Sequence, residues 1–94
     1  MRSREEIEGD RLERLAELEQ DHAVDPDWKD RFAPGTFGCH EALHLASVIE
    51  RLLEQDLAEH PAVVLKPRWF QLASRASGAL AELYQEIGKV HLEA

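Results

Sequence analysis

The chain has 94 residues, 44% hydrophobic and 32% charged, with a formal net charge of −8 and a sequence pI near 5.0. That length sets the expectation of a single domain over 1–94, with the composition of a globular chain rather than a disordered one. The negative balance opposes attraction to a polyanion, so direct DNA binding is not expected, while a small anion held in a local basic pocket stays compatible. Cys39 is the one cysteine, which excludes an intramolecular disulfide and points to an intracellular setting. The opening MRSREEIEGD has no apolar core of a signal peptide, and no run of about 18 apolar residues occurs. A cytoplasmic location with no membrane partner is the expectation.

The first predicted element is a helix over about 4–21. Ser3 followed by Glu6 fits a capping box, and the segment is rich in helix formers. Its apolar residues Leu12, Leu15, Ala16 and Leu18 form a thin stripe suited to packing on a neighbouring subunit. A connector follows, DHAVDPDWKDRFAPGTFG, broken by Pro26, Pro34, Gly35 and Gly38. Its aromatics Trp28, Phe32 and Phe37 are expected to pin the loop, with Phe37 or Trp28 as an alternative pocket lining.

A helix over about 39–60 comes next, with Ala42, Leu45, Ala46, Ile49, Leu52, Leu53 and Leu57 on one side at 100° per residue. Pro61 is expected to end it, and PAVVLKP to form a short turn. Pro67 then opens the last helix, over about 67–92. One face of that helix carries Trp69, Leu72, Ala73, Ala76, Ala79, Leu80, Leu83, Tyr84, Ile87 and Val90. The other carries Arg68, Gln71, Ser74, Arg75, Glu82, Gln85 and Glu86. The expected fold is all-α, an antiparallel hairpin with an extra N-terminal helix. Small size and long apolar stripes favour assembly as an oligomer.

Residues 40–44, HEALH, match the HExxH pattern of zinc peptidases, in which two histidines on one helix face hold Zn²⁺ and the glutamate activates water. The rest of the chain argues against that use. No strand or cleft is predicted, and the extended pattern continues with glycine and a third histidine where this chain has Ser47 and Glu50. Arg51, two turns beyond His44, suits an anion better than a dication. The reading therefore assigns no catalytic residue, no metal ligand and no cofactor, and keeps a zinc-binding HExxH protein as a remote alternative.

His40, His44, Ser47 and Arg51 form a polar stripe opposite the Leu/Ile stripe of their helix, beginning at a helix N-terminus that attracts anions. It follows the glycine-bearing turn PGTFG. A second basic group, Lys66 and Arg68 beside Trp69, opens the last helix, and arginine beside an aromatic suits a phosphate and a base. By helical phase Trp69 lies on the apolar face, where core packing is the expected role and ligand stacking the alternative. Phe37, His40, His44, Arg51, Lys66, Arg68 and Trp69 are thus the candidate ligand-binding residues. Cys39 reads as a buried or capping thiol, and His22, His60 and His91 as surface groups.

The segment KPRWFQLASRASGALAELYQEIGKV (66–90), with its basic–aromatic entry and an alanine in each turn, resembles the hairpin of small phage-encoded anti-defence proteins of the anti-CBASS and anti-Thoeris type. The resemblance covers about the last 55 residues. It implies a non-enzymatic, oligomeric sponge that sequesters a cyclic di- or trinucleotide immune signal between subunits in the host cell cytoplasm. The chain departs from that family in residues 4–21, which lack its tyrosine and lysine pair. The alternative from charge alone is an acidic interaction protein that inhibits a host nucleic-acid-binding complex such as a CRISPR effector.

Overall fold

The computed structural model describes residues 2–94; all regular structure among these is helical, with no strand. The chain divides into two compact units between Asp30 and Arg31.

In the first unit, α1 spans Arg4–Asp21. Ser3 Oγ accepts the Glu6 N–H at 3.1 Å, the serine half of the expected capping box, and its hydroxyl donates to Glu6 Oε1 at 3.3 Å. Glu5 and Glu6 complement the positive end of the helix dipole. Arg11 donates to both carboxylate oxygens of Glu8, and Arg14 reaches Asp10 one turn back. The Arg11 hydrogen bonds hold the Glu8 carboxyl below the usual carboxylate range and push the Arg11 guanidinium up in return. These pairs are exposed and add little stability. No residue of α1 is buried, and Ile7, Leu12 and Leu18 stay largely open.

A short 3₁₀ turn, Trp28–Phe32, follows. The His22 ring stacks on Trp28 with centroids 4.8 Å apart and planes 15° from parallel. Lys29 bridges to Glu19 at 3.1 Å and its ammonium lies 5.8 Å from the indole centre. Trp28 is therefore buried and pins its loop, as expected for an aromatic in a connector. His22, expected as a surface group, is half-buried as its lid.

The second unit is the hairpin. Thr36 caps α2, Phe37–Leu52, by accepting the Cys39 N–H at 3.4 Å, and α4 spans Pro67–His91 with Pro67 in its first turn. The Gly35 N–H donates to His91 Nδ1 at 2.8 Å, and Leu43 lies against Gly88, so the start of α2 meets the end of α4. The two helices run antiparallel. Their seam buries Leu43 and Ala46 from α2 and Ala73 and His91 from α4, with Cys39, Glu50, Leu53, Ser77, Leu80 and Ile87 half-buried. Among the described residues no large side chain is fully buried, so the core is thin.

Three details differ from the sequence reading. The helix expected over 39–60 begins two residues earlier and leaves the α form at Leu53. Over Leu53–Leu57 the chain makes a π turn, closed by the Ala58 N–H on Leu53 O at 2.8 Å. The slower winding carries Leu57 out of the seam and Ala58 into it; Leu57 is 51% exposed and Ala58 half-buried. Second, PAVV is a helical turn, α3 (Pro61–Val64), whose N-cap is His60, with Nδ1 accepting the Ala62 N–H at 3.1 Å. Third, much of the predicted apolar side of α2 faces outward. Leu45 is 57%, Ile49 49% and Leu52 53% exposed, because the contact with α4 uses the adjoining row through Leu43.

Candidate functional site

Helix phase separates the two candidate groups. His40, His44 and Arg51 are exposed along one side of α2, about 150° around the helix from the Ala42–Leu45–Ile49–Leu52 row. From His40 to Arg51 the stripe runs about 16 Å along the axis at 1.5 Å per residue. The His40 ring meets His91 of α4, with centroids 5.5 Å apart and planes tilted by 43°. His91 Nδ1 accepts the Gly35 N–H, which makes that ring the tautomer protonated at Nε2. His91, read as a surface group, is in fact buried and ties the glycine turn to the last turn of α4.

Phe37 stands apart from the histidine stripe. It is 78% exposed and, with Arg31, Phe32, Thr36, Gly38 and Glu41, lines a shallow pocket of about 390 Å³ at the α2 N-terminus. Gly38 is required there. A Cβ in its place would lie 2.3 Å from Arg31 O and 2.6 Å from Phe32 Cδ1, so only glycine lets α2 start against that turn. Glu41, the glutamate of the HEALH pattern, lines this pocket and not the histidine stripe. Among the described residues, no three His, Cys, Asp or Glu side chains gather as metal ligands.

Lys66, Arg68 and Trp69 lie at the other end of the hairpin. With α2 16 residues long, Phe37 and Trp69 are separated by roughly 24 Å along the bundle. Trp69 is 53% exposed and lines an apolar groove of about 370 Å³ with Leu53, Leu57, Val63, Leu72, Ala73 and Ala76. Lys66 and Arg68 are exposed in the turn that carries this indole. The seven expected ligand-binding residues therefore form three places: a phenylalanine pocket, a histidine–arginine stripe and a tryptophan groove with two cations beside its entry.

Sequence reasoning missed the groove's aliphatic lining from Leu57 and Val63. Its signals were the cluster of Leu, Val and Trp on both sides of the Pro61–Pro67 turn. A third small cleft, about 240 Å³, is bordered by Glu54, Ala58, Glu59, Phe70, Ser74 and Ser77. Glu50, one turn before Glu54, hydrogen-bonds and repels it, which pushes the Glu54 carboxyl above the usual carboxylate range. No protein-family model, curated protein or solved structure matches the chain.

Proposed function

We propose that the protein is a non-enzymatic helical binding protein that sequesters a cyclic nucleotide immune signal, held at the Trp69 groove. The reading is supported above all by one observation: a half-exposed indole lines an apolar groove while Lys66 and Arg68 stand exposed beside it. An aromatic face stacks any base, worth about 1–3 kcal/mol per base, and a guanidinium grips phosphate oxygens in a fixed fork. A groove of about 370 Å³ lies in the size range of small-ligand sites. Sequestration needs no bond to be made or broken, so it asks nothing of the HEALH segment. His40, His44 and Arg51 offer a separate anion-contacting stripe outside the groove.

The test is a panel of cyclic di- and trinucleotides titrated into the purified chain by calorimetry and thermal shift. Binding that disappears in Trp69→Ala and Arg68→Glu and survives in His40→Ala is the expected result. No thermal shift and no bound species across the panel would overturn the proposal.

A second reading, inhibition of a host nucleic-acid-binding complex such as a CRISPR effector, is favoured by α1. That helix carries eight carboxylates against three arginines and buries none of its residues. Capture of a basic partner through it would weaken steeply with salt and fail in Glu13→Lys/Glu17→Lys, with Arg68→Glu harmless.

A further inference from the structure

Both hairpin helices carry more apolar surface than the contact between them uses. On α2, Ala42, Leu45, Ile49 and Leu52 lie about 100° to one side of the buried row through Leu43 and Ala46. On α4, Leu72, Ala76, Ala79, Leu83 and Val90 lie about 90° to one side of the row through Ala73 and His91, displaced in the same rotational sense. In an antiparallel pair, equal displacements put both rows on one side of the hairpin. Their spacings, 42-45-49-52 and 69-72-76-79-83, alternate threes and fours, which is how a helix packs on another helix.

The large side chains in these rows are Leu45, Ile49, Leu52, Trp69, Leu72, Leu83 and Val90, each 46–57% exposed. Together they present on the order of 700 Å² of apolar surface, more than the largest patch of a typical monomer and close to one partner's share of a standard interface.

We infer that this face is the interface of a two-fold homodimer, with α4 running antiparallel to α4 of a second copy and crossing it near Ala76–Ala79. The face is self-complementary only in that direction. Its centre is small, at Ala76 and Ala79, which lets two helices approach closely. Leu72 and Leu83 lie equally far from that centre on its two sides, with Trp69 beyond the first and Val90 beyond the second. The flank of α4 beside the face carries Arg68 and Arg75 in its first half and Glu82 and Glu86 in its second. An antiparallel copy brings the two flanks together and sets arginines against glutamates, whereas a parallel copy leaves the two flanks on opposite sides, where these charges do not meet. The Trp69 groove opens at one end of this face, so the second copy supplies its outer wall; the dimer itself requires no ligand.

Sedimentation equilibrium of the full chain tests this without nucleotide, so its outcome is separate from that of the ligand titrations. The expected mass is that of two 10.7 kDa chains at tens of micromolar, with a melting temperature that rises with protein concentration. Leu45→Glu/Leu83→Glu alters positions already half-exposed in one hairpin, and it should raise the dissociation constant about 100-fold or more. Arg75→Glu should weaken the dimer several-fold, and Arg75→Glu with Glu82→Arg should restore it. A single-chain mass up to about 200 μM, a dimer indifferent to Leu45→Glu/Leu83→Glu, or failure of the charge exchange to restore affinity would each overturn the inference. Should the double glutamate variant fail to fold, the wild-type concentration dependence and the charge exchange still decide.

Discussion

Replacing Gly38 by alanine tests how α2 is seated on the turn before it. A methyl at this position would meet Arg31 O at 2.3 Å, about 1 Å inside van der Waals contact, and Phe32 Cδ1 at 2.6 Å. The phenyl ring can rotate, but the carbonyl is main chain, so helix and turn must separate. Overpacking of this kind costs about 1–3 kcal/mol. Alanine regains at most about 1 kcal/mol of helix propensity, less in a first turn, leaving a net loss of about 1–2 kcal/mol. For a unit of this size that lowers Tm by about 5–15 °C.

Gly78 supplies the internal control. It sits mid-α4, and a Cβ placed there would have nothing within 4 Å, so Gly78→Ala should gain about 0.5–1 kcal/mol from propensity alone. Both variants would be followed by urea denaturation with circular dichroism at 222 nm, at one protein concentration. A Gly38→Ala midpoint equal to wild type, alongside a raised Gly78→Ala midpoint, would refute the close-approach argument.

Two further outcomes follow from pairs in the second unit. His91→Phe keeps an aromatic ring but removes the acceptor of the Gly35 N–H, and leaving that part-buried donor unpaired should cost about 1–3 kcal/mol in urea denaturation. The Glu54 carboxyl is raised in the folded state by Glu50, so the folded chain binds that proton more tightly than the unfolded chain. Stability from this source is present at acid pH and is lost as pH climbs past the ordinary glutamate range toward the raised value. Glu50→Gln should remove that loss, raising the urea midpoint at pH 7 relative to wild type and not at pH 4.

The helices were legible in the sequence because their signals are local. Ser3–Glu6, Pro67 and the apolar periodicity each act over a few residues, and the antiparallel hairpin follows from the short Pro61–Pro67 connection. What was not legible depends on a partner. The α2 sequence holds two adjoining apolar rows, and only the position of α4 decides that Leu43 is buried while Leu45 and Ile49 are not. His91 reads as a polar residue near a helix end, since its role rests on a glycine 56 positions away. Of the candidate site, the Lys66–Arg68–Trp69 entry was visible as a basic–aromatic run. That it lies at the opposite end from Phe37 was implicit in the hairpin, and the groove beside it was signalled only by the Leu, Val and Trp cluster around the Pro61–Pro67 turn.

The π turn at Leu53–Leu57 leaves the hairpin tolerant of a change in chain length at that point. No proline or glycine marks it; it is one residue more than an α-helical turn holds, and the surplus is what swaps Leu57 for Ala58 against α4. Deleting Gln55 would bring the Ala58 N–H within four residues of Leu53 O, so the bond that now closes the π turn would close an ordinary α turn. Ala58 and the residues after it would keep their facing toward α4, and the chain would lose only the bulge. A single-codon deletion thus removes the surplus residue without re-registering the end of the hairpin, whereas an α turn closed without that deletion would set Leu57 where Ala58 now lies.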